Sequence, residues 1–321
     1  MTIVILTEPH DAHLPAVAQH LQQRGMPFVV FDNAQFPVEA QLALTCSATG
    51  TLRHALVLLG EHRRTLDMAE ISAVWDRRPG APVVDARITD PSVRDYIQRE
   101  CSHFLHDVWH TLPSFWVPGP PDRVRRASYK VTQLILAGRL GFEIPPTLVT
   151  NNPEEFLEFY CRYAGRIISK PFYHSAVFPT PDTKKDFWDM HTRPVTVHDV
   201  GFAASLRFCP VIVQAYVPKR VELRITVVGS EIFACEIHSQ VTHRTKHDWR
   251  NYDLAHTPHY VHDLPQEVRE RCHRLVAALG LCYGAIDMVL TPDGRYVFLA
   301  RIIHEFSQCW LNSLSYFALG L

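Results

Sequence analysis

The sequence predicts an α/β protein, and three features carry that expectation. The chain opens with a buried strand at Thr2 to Leu6, a segment of helical period at Leu14 to Arg24 that stops at Gly25, and a second strand at Pro27 to Phe31, which together read as a βαβ unit. Strand-like runs and amphipathic stretches then alternate to the end. Pro210 to Ile237 adds a strand at Val211 to Val213 and a hairpin, with β-branched runs at Leu223 to Val228 and Glu231 to Ile237 on either side of the turn dipeptide Gly229-Ser230.

Taken in order, Leu42 to Cys46 and Ala55 to Leu59 are further strands, and Val74-Trp75 leads into Asp76-Arg77-Arg78-Pro79. Asp90 to Leu112 is one long amphipathic helix, with Asp90 as its cap and Pro91 in its first turn. Pro113 to Asp122 reads as a linker. Arg123 to Leu140 is expected to form a single basic helix ending at Gly141, and Phe142 to Thr150 a strand interrupted by Pro145 and Pro146. Asn152 starts the next helix, and Arg166 to Pro171 is a strand that ends on Lys170. Phe178 to Asp199 is polar and Pro-rich, which suits a flap over a site.

Composition narrows the function. The chain has 321 residues, 32 basic against 33 acidic, so no global field favours nucleic acid or a membrane surface, and an anionic ligand must be held by a local cluster. Its 8 cysteines include no CxxC pair, which suits reduced thiols in a cytoplasmic protein. The N-terminus lacks a signal-like pattern, and no run is apolar enough for a spanning helix. GxGxxG does not follow the first strand and no GxxxxGK[ST] occurs, so a Rossmann site and a P-loop are not expected.

The charges that remain are Lys130, Lys170 and the group at the start of the hairpin. Lys219 and Arg220 suit a solvated edge, whereas Glu222 and Arg224 stand at i and i+2 and project from one face of a strand. A carboxylate beside a guanidinium there suits either a structural ion pair or a nucleotide's ribose and phosphates. A strand-ending lysine suits either an anion or a side chain that reaches water. His256, His259 and His262 are spaced by three and would share a face of a helix able to hold Zn²⁺ or Ni²⁺, although Pro258 argues for a loop there.

The series AxxK at Ala127 to Lys130, Gln133-Leu134, GFEIPPTLVTNNPEE, IISKP, QAYVPKRVELRITVVG, TKHDWRNYD and LGLCYGAIDMVLTPDGRYVFL, preceded by FDNAQFP and AVWDRRP, resembles the ATP-grasp ligases, and within them the microviridin-type (graspetide) peptide macrocyclases. The resemblance spans nearly the whole chain. It implies a three-part ATP-grasp fold: an N-terminal pre-ATP-grasp α/β domain over 1–115, a central α+β domain over 116–210 and a C-terminal α+β domain over 211–321, with ATP between the last two. It also implies a cytoplasmic ligase that uses ATP and Mg²⁺ to activate Asp or Glu side chains of a ribosomal precursor peptide, leader plus core, as acyl phosphates. Thr/Ser hydroxyls or Lys amines of the same peptide then close esters or amides. A homodimer is an open alternative to a monomer.

Carried over by residue, the resemblance gives Lys130 and Lys170 to the α- and β-phosphates and the backbone of Gln214, Ala215, Tyr216 and Val217 to adenine. Glu222 falls to the ribose, Arg224 and Arg250 to the γ-phosphate and acyl phosphate, Lys246 to the same anions, and Asp287 to Mg²⁺. The chain departs from the family where FLARIIHEFSQ replaces FLEINPNGQ. Ala300 and Ile302 stand in place of a bridging glutamate and an asparagine, and neither ligates a hard cation, which leaves Glu305 as the nearby carboxylate. The alternative function is therefore a catalytically impaired homologue that binds nucleotide and peptide.

Overall fold

A computed structural model describes residues 1–50, 52–59, 63–172, 176–177, 188–189, 192–241 and 255–299. The described residues divide into two compact units, one drawn from Met1–Ala127 and Val276–Gly284, the other from Ser128–Leu275 and the residues from Ala285 to Leu299.

In the first unit, β1 (Thr2–Thr7), α1 (Leu14–Gln23) and β2 (Phe28–Phe31) form the expected βαβ opening, with the two strands parallel. The antiparallel strands β3 (Ala40–Cys46), β4 (Leu52–Leu58) and β5 (Arg64–Asp67) make a separate small sheet. β5 was missed because its RTLD sequence carries no apolar alternation of useful length. β6 (Ile71–Arg78) returns to the parallel sheet, in which β1 pairs with both β2 and β6. α2 (Pro91–His110) is capped as expected, since the Asp90 carboxylate accepts from the Ser92 and Val93 N–H groups.

The linker expected at Pro113 to Asp122 is corrected by the structure. Phe115–Val117 is a strand, β7, parallel to β6, because Trp116 enters the same core as Val4, Val74 and Trp109. The prolines around it conceal a three-residue aromatic and β-branched run that burial of Trp116 recruits into the sheet. The single basic helix is also corrected. α3 (Pro121–Ala127) and α4 (Lys130–Arg139) are separate, since Tyr129 adopts extended backbone at the N-cap of α4.

In the second unit, one sheet has the order β12–β9–β13–β8, with β8 (Thr147–Thr150), β9 (Ile167–Lys170), β12 (Arg193–Pro194) and β13 (Val211–Ala215). The strand expected from Phe142 is shortened to β8, because Pro145 and Pro146 donate no ladder hydrogen bonds, and only Glu143 makes an isolated bridge, to Val297. α5 (Pro153–Arg162) packs Phe156 and Phe159 against Ile167 and Val213, on one face of this sheet. Of the flap expected over Phe178 to Asp199, residues 178–187 and 190–191 lie outside the described residues. The described parts are β11 (Trp188–Asp189), which pairs with β10 (Ala176–Val177), together with β12 and α6 (Val197–Gly201).

The other sheet has the order β16–β15–β14–β17–β18. β14 (Val221–Val228) and β15 (Glu231–Ile237) form the hairpin read from the sequence, turning at Gly229, whose φ of 56° suits glycine. β16 (His259–Val261), β17 (Tyr283–Leu290) and β18 (Tyr296–Phe298) complete it. α7 (Gln266–Ala278) precedes β17 in the chain.

Asp76 in β6 stands opposite Leu6 of β1, and burial pushes its carboxyl up to about 6. A carboxyl whose folded pKa is raised binds its proton more tightly in the native state, so stability falls as pH rises from about 4 to about 6 and then levels. Asp76→Asn is expected to raise stability near pH 7 by up to about 3 kcal/mol and to leave it unchanged below about pH 4. Urea unfolding across this pH range checks the outcome, and an equal effect at both ends would contradict the assignment.

Candidate functional site

The charged residues at the start of β14 are buried rather than solvated. The Lys219 side chain is only 8% exposed and donates to Glu222 Oε1 at 2.9 Å, which corrects the expectation of a solvated edge for Lys219. Ser239, fully buried, donates to the same Oε1 at 2.7 Å. The hairpin register sets this up: Glu222 stands opposite Ile237, and Ser239 follows two residues later on the same face. Sequence reading missed Ser239, because the contact becomes visible only once the register is known.

Two residues along β14, the Arg224 side chain is 2% exposed and donates to Asp287 Oδ1 on β17 at 2.8 Å. Glu222, Arg224 and Asp287 therefore belong to one charged face of the sheet. The backbone at Asp287 is fixed as well, since its carbonyl accepts from the Leu299 N–H at 3.0 Å. The Leu299 carbonyl in turn accepts from Lys170 Nζ at 3.1 Å. Through that bond the ammonium that ends β9 meets the segment beside Asp287 and links the two sheets of this unit. Lys130, the first residue of α4, donates to the Pro171 carbonyl, one residue past Lys170.

The sheet that carries Lys170 also separates its faces. Residues directly opposite in antiparallel pairs project together, so Lys170 with Ile212, Ile168 with Gln214, and Gln214 with Thr147 share the face away from α5. The N–H groups of Ala215 and Tyr216 are used within the unit, by the Pro146 and Arg166 carbonyls. Val217 follows them at the exit from β13.

The histidine reading is corrected. His259 lies in a strand, so His256, His259 and His262 do not share a helical face. His262 donates toward Glu236 at 2.7 Å and contacts the Tyr296 hydroxyl at 2.9 Å, while His238 contacts the other Glu236 oxygen at 3.1 Å. Burial raises the Glu236 pKa, but hydrogen bonds from His262 and His238 outweigh it and the net shift is downward. Glu236 stands opposite Leu223, which places this cluster on the sheet face opposite Glu222 and Arg224. Among the described residues no group of three or more His, Cys, Asp or Glu is arranged to hold a metal ion. Lys246, Arg250, Ala300, Ile302 and Glu305 lie outside the described residues.

Residues 2–123 match the family model described as the MvdD pre-ATP grasp domain. The crystal structure of macrocyclase MdnC bound with precursor peptide MdnA, from Microcystis aeruginosa MRC, is 32% identical over 95% of this chain and 92% of that one, with a TM-score of 0.83. The chain belongs to the microviridin-type ATP-grasp macrocyclases. A second family member, macrocyclase MdnB from the same organism, is 30% identical over 94% of this chain and 91% of that one, with a TM-score of 0.75. The Chryseobacterium gregarium RiPP-associated ATP-grasp ligase, in complex with ADP and a leader and core peptide, is 27% identical over 98% of this chain and 92% of that one, with a TM-score of 0.86. Among curated protein sequences none matches. The multi-part α/β fold of these ATP-grasp proteins is the fold expected from the sequence. Among the described residues no helix is long and apolar enough to cross a membrane.

The Arg224–Asp287 pair sets the stability of the charged face. Asp287→Ala leaves a nearly buried guanidinium without this carboxylate and is expected to cost about 3 kcal/mol. Denaturant unfolding measures it. A loss below about 1 kcal/mol would show that the pair is dispensable to the fold.

Proposed function

We propose that this macrocyclase activates Asp or Glu side chains of a ribosomal precursor peptide and closes macrocyclic esters with Thr/Ser or amides with Lys. The observation that carries the reading is the Lys170 contact with the Leu299 carbonyl, which brings a strand-end ammonium to the segment paired with Asp287. The peptide-bound MdnC structure and the ADP-bound, peptide-bound C. gregarium ligase support the same substrate class.

The residues present fit a magnesium nucleotide. Two ammonium groups close to one another, at Lys130 and Lys170, suit phosphate oxygens, and a partly exposed carboxylate at Asp287 suits a hard cation. ATP supplies the phosphoryl group that turns the peptide carboxylate into an acyl phosphate, and Mg²⁺ offsets phosphate charge. Lys130 and Lys170 hold the α- and β-phosphates as point charges, and the backbone of Gln214 to Val217 pairs with adenine. Glu222 accepts the ribose hydroxyls, held in place by Lys219 and Ser239. Arg224, held on the same face by the Asp287 carboxylate, offers its guanidinium to the γ-phosphate and acyl phosphate. From the resemblance alone, Arg250 and Lys246 are assigned to the reacting phosphates and Glu305 is the second candidate metal ligand.

A second reading is a nucleotide- and peptide-binding homologue with impaired turnover. Ala300 and Ile302 favour it, since neither side chain ligates Mg²⁺. Mass spectrometry of the partner peptide after incubation with ATP decides between the two. The ligase reading expects successive losses of water, steeply dependent on Mg²⁺ concentration and enhanced when Ala300→Glu is combined with Ile302→Asn. A peptide left unmodified by both proteins at saturating Mg²⁺ supports the binding reading.

A further inference from the structure

The long helix α2 carries His103, His106 and His110 on its exposed side, and neither the fold nor the nucleotide reading uses them. Leu105, Val108 and Trp109 of the same stretch enter the core of the first unit. Trp109 is tied down further, since its Nε1 donates to Asn33 Oδ1 at 3.3 Å. A helix anchored along one face in this way presents its other face on a rigid frame.

His106 and His110 stand at i and i+4, one turn apart on a single face, the spacing at which two helical histidines can ligate one metal ion. Their ring centres are 6.3 Å apart. His110 Nδ1 lies 2.7 Å from the His106 carbonyl oxygen, which only accepts, so Nδ1 is the donor. The neutral ring then keeps its lone pair on Nε2. A backbone carbonyl bonded to the other ring nitrogen is what holds metal-ligating histidines in their working tautomer. The same bond draws His110 back over the turn that carries His106.

A lone pair fixed on one exposed imidazole, with a second imidazole a turn away, suits a divalent ion that prefers nitrogen ligands. Two imidazole nitrogens about 2.1 Å from a tetrahedral Zn²⁺ bring ring centres to about 5 Å, so the pair closes with a movement of about 1.3 Å, within reach of exposed side-chain torsions. The pair also occupies the last turn of α2, where the helix dipole favours a cation. Asp107 offsets part of the charge that Arg125 brings to the same turn.

We propose that His106 and His110 form a chelating site for Zn²⁺ or Ni²⁺ on the first unit, a cation class different from the Mg²⁺ that accompanies a nucleotide. Among the described residues no third His, Cys, Asp or Glu joins them, so the remaining coordination positions go to water or to a donor on another molecule. Mg²⁺ prefers oxygen ligands and does not compete for two imidazoles.

The test is calorimetric titration of the untagged full chain with Zn²⁺, Ni²⁺ and Mg²⁺, for the wild type, His106→Ala, His110→Ala and His238→Ala, with circular dichroism to confirm folding. The wild type is expected to bind Zn²⁺ and Ni²⁺ at least about tenfold more tightly than Mg²⁺. Each α2 variant is expected to weaken Zn²⁺ binding by at least about tenfold, because a chelate reduced to one imidazole loses the effective concentration of the second. His238→Ala, in the cluster around Glu236, is expected to change it by less than about twofold. Zn²⁺ affinity unchanged in either α2 variant overturns the chelate and places any bound ion elsewhere. A folded wild type that binds neither Zn²⁺ nor Ni²⁺ overturns it as well.

Discussion

The second unit depends on the ion pair between Arg224 and Asp287, which joins β14 to β17 with a guanidinium almost removed from water. A charge in that position persists only when compensated, because desolvation opposes it and an opposing carboxylate must repay the cost. Asp287 provides that compensation, and its backbone carbonyl simultaneously ties down Leu299. The segment that Lys170 contacts is thereby set by the same strand that holds the ion pair.

The same logic explains Glu222. It is 5% exposed, and Lys219 and Ser239 both converge on one of its oxygens. The carboxylate is thus oriented before a ligand arrives, which lowers the ordering cost of binding. The sheet keeps its chemistry separated by face. Glu222 and Arg224 project to one side, while Glu236, with His238 and His262 around it, projects to the other. Period-two alternation alone produces this division, so one hairpin serves two unrelated polar networks.

Much of this was legible in the sequence wherever a local signal was strong. The β14–β15 hairpin follows from two β-branched runs around Gly229-Ser230, and the long helix from Asp90 and Pro91. Short elements were less legible. β7 hides among prolines, and burial of Trp116 rather than propensity makes it a strand. The Lys219–Glu222 and Ser239–Glu222 contacts depend on register and depth, which no sequence window encodes, so Lys219 read as solvated and Ser239 went unnoticed. The histidines spaced by three left a helix and a loop open, Pro258 favouring the loop, and the pairing of His259 with Ile237 shows a strand instead.

The central claim is that the charged face around Asp287 receives a metal–nucleotide complex, and Mn²⁺ electron paramagnetic resonance with ADP tests it most directly on the wild type and Asp287→Asn. Asparagine keeps an acceptor for Arg224 but loses the charge that a hard cation requires. The account predicts that Mn²⁺–ADP binding weakens by about tenfold or more in the variant while metal-free ADP binding is retained. Equal Mn²⁺–ADP affinity in the two proteins would contradict it.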